Sequence, residues 1–419
     1  MSAVPCDCDV AIIGGGLTGT ALAHALAQMP LDVVLVEAQS PAAMRRPSFD
    51  DRATALANGS QRILATLGLW DALSDDAEPI TSIHISERGR FGVARIRADQ
   101  EGVPALGYLV ENRVLGTALW RALKEANRIE TLAPAQLESL QTHDDSVSLV
   151  IGGANGQRKL RAKLVIAADG AQSQVRAQLD IAAIEDDYAQ RAVIVNCQTE
   201  VPHRGRAFER FTTDGPVAVL PLTGDRVAAV WTLPQAAAER VMRLDDREFA
   251  QALQDVFGYR LGKLRRVGRR ASYALTRTRS SALVATRTVL IGSAAMNLHP
   301  VAGQGFNLAL RDIAALAEVL GDAWLDSNSA SDPGARALLE RYRDWRVRDQ
   351  ERVAAFTHGL IRFFAFPSVA LGVSRGLGLM LFDLVPGAKA GLARQTMGLA
   401  GRLPRLARGL PLLPKRSSL

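Results

Sequence analysis

Cysteines, aromatic residues and long apolar runs are all scarce in this chain, and each shortage removes a class of protein. Three cysteines, Cys6, Cys8 and Cys197, are too few for a disulfide framework. The Cys6–Cys8 spacing matches no zinc pair and no histidines fall at ligand spacing, so no metal is expected. Nothing sets a cysteine beside a base, so all three are expected to be non-catalytic. The best candidate for a membrane span, 363–374, has 12 residues, contains Pro367 and is bracketed by Arg362 and Arg375, whereas a span needs about 20 apolar residues. A signal peptide's basic-then-apolar layout is missing from the first residues, and a reducing cytoplasm is the expected location. Acidic residues are missing from Lys389 onward. Lys389, Arg394, Arg402, Arg405, Arg408, Lys415 and Arg416 stand there alone and account for the net charge of +7. The remaining 43 basic residues balance 43 acidic ones, which argues against nucleic acid as a partner and gives the tail an affinity for something anionic.

What is present begins with a glycine turn, Gly14-Gly15-Gly16-Leu17-Thr18-Gly19, directly after the apolar run Val10–Ile13. In such a turn Gly14 permits the bend, Gly16 lets backbone approach a pyrophosphate, and Gly19 lets the following helix pack close to the strand. The helix N-terminus adds free N–H groups and partial positive charge. Leu31–Val36 reads as the second strand of a βαβ unit, and Glu37 ends it, 18 residues after Gly19. A carboxylate there holds the hydroxyls of an adenosine ribose and repels a 2′-phosphate.

At 419 residues the chain exceeds one core, and its texture changes along its length. The periodicity predicts helices over 18–28, 61–73, 112–126, 307–320 and 335–366, and a hairpin around Gly152–Gly156. From Ala192 to Tyr273 the pattern is β-rich, and Thr288–Ile291 returns to the first rhythm. The expected fold is α/β. A discontinuous Rossmann-like nucleotide domain (1–75, 107–182 and 270–325) carries an inserted β-rich substrate domain (76–106 and 183–269). A polar linker then leads to C-terminal helices and a basic tail, 335–419.

Two later segments separate a flavin from a nicotinamide cofactor. Ala167-Ala168-Asp169-Gly170, with Ser173 and Arg176 behind it, follows another strand and offers a carboxylate and a tight turn; an ordinary strand-end turn is the alternative. Gly292-Ser293 and Gly303-Gln304-Gly305-Phe306-Asn307 come after the returning strand, and the second opens a helix. A helix N-terminus there stabilises the anion that a reduced flavin carries on its pyrimidine side.

Taken together these motifs resemble the FAD-dependent aromatic hydroxylases of the p-hydroxybenzoate hydroxylase type, and more closely their ubiquinone-biosynthesis branch. The matching residues are Gly14–Gly19, Glu37, Asp51–Leu56, Ala168-Asp169-Gly170 with Ser173 and Arg176, and His299–Leu308. Arg206–Phe211, Gly215-Pro216, Leu220-Pro221 and Phe257–Lys263 are similar to members acting on a 2-polyprenyl-6-methoxyphenol. The resemblance implies that Gly14, Gly16, Gly19 and Glu37 hold the ADP half of FAD. It implies Arg52 near the flavin, Arg113 near the pyrophosphate, Asp169 serving both FAD and the incoming nicotinamide nucleotide with Gly170 beside it, and Gly303, Gly305 and Asn307 along the isoalloxazine. Ser293 stands where the family usually has an acid that bonds the ribityl chain, and serine makes a weaker, uncharged bond. The implied reaction uses NAD(P)H to reduce FAD, O₂ to form a C4a-hydroperoxide, and a polyprenyl phenol as the ring that is hydroxylated.

Arg52, His299 and Pro300 are the candidate catalytic residues. A salt bridge to Asp50 or Asp51 is the alternative for Arg52, and a structural turn for His299. No base for the phenol proton is evident, and Glu209, Arg210 and Trp231 face either the substrate or the core. Leu399, Leu403, Leu406, Leu410 and Leu413, interleaved with Arg402, Arg405 and Arg408, predict an amphipathic tail. Such a tail would rest on the anionic inner membrane or on partner enzymes of the pathway; packing on the body is the alternative. Three other readings stay open: a family member acting on another ring position or a small aromatic acid, a flavoprotein that reduces isoprenoid chains, and a non-catalytic FAD-bearing scaffold.

Overall fold

A computed structural model of the chain describes residues 6–40, 52–154, 156–297, 304–326, 331–365 and 386–414. Val10, Ala11, Ile12 and Ile13 are all buried because their strand, Cys8–Ile13, lies inside a sheet covered on both faces. Gly156–Ala167 and Val33–Val36 flank it in parallel, and Thr288–Leu290 and Ile129–Leu132 extend the parallel set on either side. Ala135–Thr142 and Val147–Gly153 add an antiparallel extension, and Gly153 faces Gly156 at the expected hairpin. Alternate residues feed two cores: Val10, Ile12, Val33 and Leu35 enter one, and Ala11, Ile13, Val34 and Val36 the other. Helices Leu17–Leu26, Asn112–Lys124 and Gln304–Asp326 cover the first of these faces.

A second, nine-stranded sheet runs across the substrate side. Ala183–Thr199, 17 residues long, pairs with Arg226–Pro234 on one edge and with Ala271–Ser280 on the other. Val217–Leu222, Arg206–Phe211, Ser82–Glu87 and Val93–Arg97 continue the sheet outward. Helices Gln235–Met242 and Asp246–Phe257 bury one face of it through Phe249, Leu253 and Phe257 against Val193, Val195 and Trp231. The other face looks toward the glycine turns.

Two expected boundaries move. The second sheet, antiparallel except where Arg206–Phe211 runs parallel to Ser82–Glu87, reaches Ser280, past 269, because Ala271–Ser280 pairs with residues 183–194 of the long strand. Glu78–Ile80 joins Ala53–Ala57 and Gly107–Glu111 in a separate three-stranded sheet between the two large ones.

The tail differs more. Leu406 and Leu412 are buried in the main core, and Leu403 and Leu413 pack against it. Arg402 stacks on Trp345 at 3.9 Å, Arg405 pairs with Asp322 at 2.6 Å, and Thr66 donates to the Leu406 carbonyl. The leucine row therefore faces the body, since burial there removes more apolar surface from water than an exposed stripe would. Of the five leucines Leu410 is the exposed one. No helix of the described residues is long and apolar enough to cross a membrane.

Candidate active site and cofactor cradle

The first turn is built by close approach. Gly14 has φ +103°, and a Cβ on it would stand 2.5 Å from the Ala168 carbonyl oxygen. A Cβ on Gly19 would stand 1.8 Å from the Gly14 oxygen, so the Leu17–Leu26 helix seats against the turn with no room for a side chain. Gly16 differs: nothing lies within 4 Å of its Cβ position, and its face is open. Glu37, largely buried, braces the turn from the next strand. Its Oε2 accepts from the Gly15 N–H at 2.6 Å and its Oε1 from the Gln39 N–H at 2.7 Å.

Asp169 lies beside this turn. Its Oδ2 accepts from the backbone N–H groups of Gln174 and Val175, at 2.8 and 3.2 Å, while Oδ1 is buried with no partner among the described residues. Gly170 follows with φ +89°. Ser173 caps the short helix behind, and the Arg176 guanidinium donates to the carbonyls of Ala171 and Ala294, at 2.7 and 2.9 Å. The Asp169 loop is thereby tied to the Gly292–Ala294 turn, which carries Ser293, exposed on the cavity wall. Behind that turn Asp312 is fully buried. It accepts from Arg346 Nε at 2.6 Å and from the Gly292 N–H at 3.3 Å, and Arg346 reaches Asp349 at 2.6 Å. This ion network pins the turn to the Gln304–Asp326 and Arg336–Ala365 helices, and no sequence motif announced it.

A cavity of about 600 Å³ lies between these turns and the open face of the antiparallel sheet. Gly305 meets it with nothing within 4 Å of its Cβ position. Asn307 is buried: its Oδ1 accepts from the Ala57 N–H and its Nδ2 donates to the Ala55 carbonyl, both at 2.7 Å. Its amide thus fixes strand Ala53–Ala57 against the helix start. Arg52 lines the cavity with its guanidinium over the Tyr273 ring at 4.8 Å, and its carbonyl accepts from the Asn112 N–H.

On the sheet wall, strand Arg206–Phe211 sorts the open candidates by alternation. Ala207, Glu209 and Phe211 face the cavity. Arg210 faces away and donates to the Phe257 carbonyl at 3.0 Å; the Phe208 ring packs on Phe257, although Phe208 also borders the cavity. Trp231 also points away and packs on Phe249, while its neighbours Val230 and Thr232 line the cavity. Burial pushes the Glu209 carboxyl up to about 7. Cys8 and Cys197 are buried thiols pushed up to about 12, which leaves neither nucleophilic.

Known proteins resemble this chain over most of its length. The family model for the FAD binding domain matches residues 7–357. Ubiquinone hydroxylase UbiL of Rhodospirillum rubrum is 38% identical over 408 residues, covering 96% of this chain and 93% of its own. The 3-demethoxyubiquinol 3-hydroxylase of Escherichia coli is 33% identical over 399 residues, covering 93% and 98%. Among solved structures, p-nitrophenol 4-monooxygenase PnpA from Pseudomonas putida shares the fold with a TM-score of 0.76 at 20% identity, covering 94% and 98%. The chain belongs to the FAD-dependent hydroxylase family of ubiquinone biosynthesis. It is an FAD-dependent aromatic monooxygenase, with FAD as cofactor and NAD(P)H as co-substrate.

The predicted site residues fall into four groups. Gly14, Gly16, Gly19, Glu37, Asp169, Gly170 and Ser293 come together around the first turn and its neighbours. Gly305, Asn307 and Arg52 meet the cavity. Arg113 is paired with Glu111, which also holds Arg226 at 2.8 Å. His299, Pro300 and Gly303 lie outside the described residues, as do Asp50 and Asp51. The residue that sequence reading did not resolve is Glu209; the alternation Ala207-Phe208-Glu209-Arg210-Phe211 held the signal, but which face met the cavity depended on the sheet.

Proposed function

We propose that this enzyme hydroxylates a neutral polyprenyl phenol, of the 2-polyprenyl-6-methoxyphenol type, in ubiquinone biosynthesis. One observation carries the reading. The cavity wall opposite the cofactor turns is largely apolar (Ala192, Ala207, Ala218, Ile83, Ile85, Leu220), and among the described residues its one carboxylate is Glu209. Such a wall suits an uncharged, isoprenoid-bearing ring. A small aromatic acid would bring its own carboxylate up to Glu209, Arg210 is turned to the other face, and the cavity's cation among the described residues, Arg52, is stacked on Tyr273. The names of the relatives from Rhodospirillum and Escherichia support a ubiquinone precursor as the substrate.

The cradle fits FAD on its own evidence. Gly16 and Gly305 leave backbone open to close approach, and Asp169 keeps a buried, unpartnered oxygen beside the first turn. Gly14, Gly16, Gly19 and Glu37 would hold the ADP half, Asp169 and Gly170 the middle, Arg113 the pyrophosphate, and Ser293, Gly303, Gly305 and Asn307 the ribityl and ring end. Bound FAD supplies, from NAD(P)H and O₂, the one oxygen atom that enters the ring, the other leaving as water. The chain's residues bind and orient the phenol, keep water from the reacting carbon through the aliphatic wall, and leave Arg52 stacked on Tyr273 beside the ring. His299 and Pro300, in the matching motif, would complete the site.

The purified protein should show a flavin spectrum and oxidise NAD(P)H faster with a prenylated methoxyphenol, giving a product one oxygen atom heavier. Bound FAD without that stimulation would refute the reading. The same reading makes it a cytoplasmic enzyme working at the membrane surface where such a substrate resides. Pelleting of the full chain with anionic vesicles tests this.

A further inference from the structure

Glu209 sits where an ionised group has no ordinary reason to be. On the cavity face its strand neighbours are Ala207 and Phe211; directly across the ladders stand Ala218 on one side and Ile85 on the other. All four are apolar. Among the described residues its carboxylate makes no hydrogen bond or ion pair. It is also the sole carboxylate among the described residues that line the cavity. The other titratable groups on that wall are Arg52 and Tyr273. On strand Ser82–Glu87 His84 stands in register with Phe208, with its ring against that ring, and Glu87 stands in register with Phe211; strand Val217–Leu222 carries no titratable group. An unpartnered carboxylate in an apolar wall costs stability, and such groups persist where substrate chemistry uses them.

We propose that Glu209 accepts the phenol proton of the substrate during hydroxylation. The inference rests on the hydroxylase reading above. A phenol becomes nucleophilic enough at its ring carbons when its O–H is drawn toward a base. The O–H bond breaks, the proton passes to a Glu209 oxygen, and the electron pair stays on the phenolate and feeds the ring. The ring carbon then takes the oxygen that the flavin chemistry supplies from O₂ and NAD(P)H. That carbon next loses its hydrogen as a proton, which leaves in the water formed from the second O₂ oxygen, and the C–H electron pair restores aromaticity. The proton held by Glu209 returns to the product's phenolate oxygen, so the carboxylate is regenerated each turnover. The raised pKa from burial suits the role, because a base that titrates near neutrality combines a useful unprotonated fraction with real proton affinity. The same group also selects: it welcomes a hydroxyl donor and opposes an anion.

Glu209→Gln tests this, since it keeps size and removes basicity; Glu209→Asp keeps the base on a shorter arm. The variants are first checked for a full flavin spectrum. In the wild type, product formation should rise with pH through about 7, where the carboxyl ionises. Glu209→Gln should lower product formation by about 100-fold and abolish that limb, and Glu209→Asp should recover part of both. The methyl ether of the substrate, which has no proton to give, should be a far poorer substrate than the phenol for the wild type. It should be no worse than the phenol for Glu209→Gln. A flavin-replete Glu209→Gln that hydroxylates within threefold of wild type, with the same pH limb, overturns the assignment and leaves the hydroxylase reading standing. A wild type that hydroxylates no prenylated phenol refutes the hydroxylase reading, and this assignment with it.

Discussion

The two large sheets build their halves of the site from different materials. The parallel sheet works through backbone. Its turns bend where glycine permits, and the side chains that matter there, Glu37, Asn307 and Arg176, are engaged with main-chain groups. The antiparallel sheet works through side chains, small ones that leave space and one carboxylate that fills a part of it. A cofactor common to a family can be held by main chain, whereas a particular ring must be met by particular side chains. Differences in substrate are therefore expected on the antiparallel wall while the glycine turns stay unchanged.

The largest test of that division compares two glycines. Gly19→Ala forces a methyl group 1.8 Å from the Gly14 oxygen, so the helix must move off the turn. A loss of more than about 4 kcal/mol in thermal or denaturant unfolding is expected, together with loss of bound flavin. Gly16→Ala meets open space and should leave the melting temperature nearly unchanged while weakening FAD binding more than about tenfold in a fluorescence titration. If both variants behave alike, the close-packed and open glycines are not distinct in role.

Next in size is the ion network under the Gly292–Ala294 turn. Asp312→Ala leaves Arg346 buried without its 2.6 Å partner, which should cost about 3 kcal/mol in urea unfolding. Because Asp312 also holds the Gly292 N–H, the flavin should be released at a lower temperature than in the wild type. A flavin-release temperature that stays fixed while stability falls would show that the network serves packing alone.

Glu209 gives a smaller effect with a definite pH signature. Its folded-state pKa, about 7 against an ordinary 4.5, is raised, so its contribution is favourable below the unfolded value and is lost as pH climbs through about 7. Against Glu209→Gln, the wild type should therefore lose at most roughly 3 kcal/mol between pH 4.5 and pH 8. Parallel melting curves of the two proteins at both ends of that range measure it, and equal shifts would mean that the carboxylate is solvated. Smallest is Arg210→Ala. It removes one bond to the Phe257 carbonyl, worth about 1 kcal/mol, and should leave the KM for the phenol unaltered. A clear rise in KM would return Arg210 to the substrate side.

The amino-acid sequence by itself determined the parallel sheet, the helix that the first glycine turn opens, the carboxylate at the end of the second strand and the cofactor class. Each of these is a local matter: a glycine where φ is positive or a Cβ would clash, or an apolar run with no polar face, is readable without knowing its partners. Tertiary structure decided the rest. Whether Glu209 or Arg210 met the cavity turned on which face of one strand the helices Gln235–Met242 and Asp246–Phe257 covered. The leucines of the tail looked amphipathic in isolation, yet Leu406 and Leu412 are buried because the Gln304–Asp326 core offered them a dry surface and Asp322 and Trp345 met their arginines. Asp312 and Arg346 lie far apart in the chain and carry no shared motif. Only packing brings two such charges together, because each is tolerable in the interior only when the other is beside it.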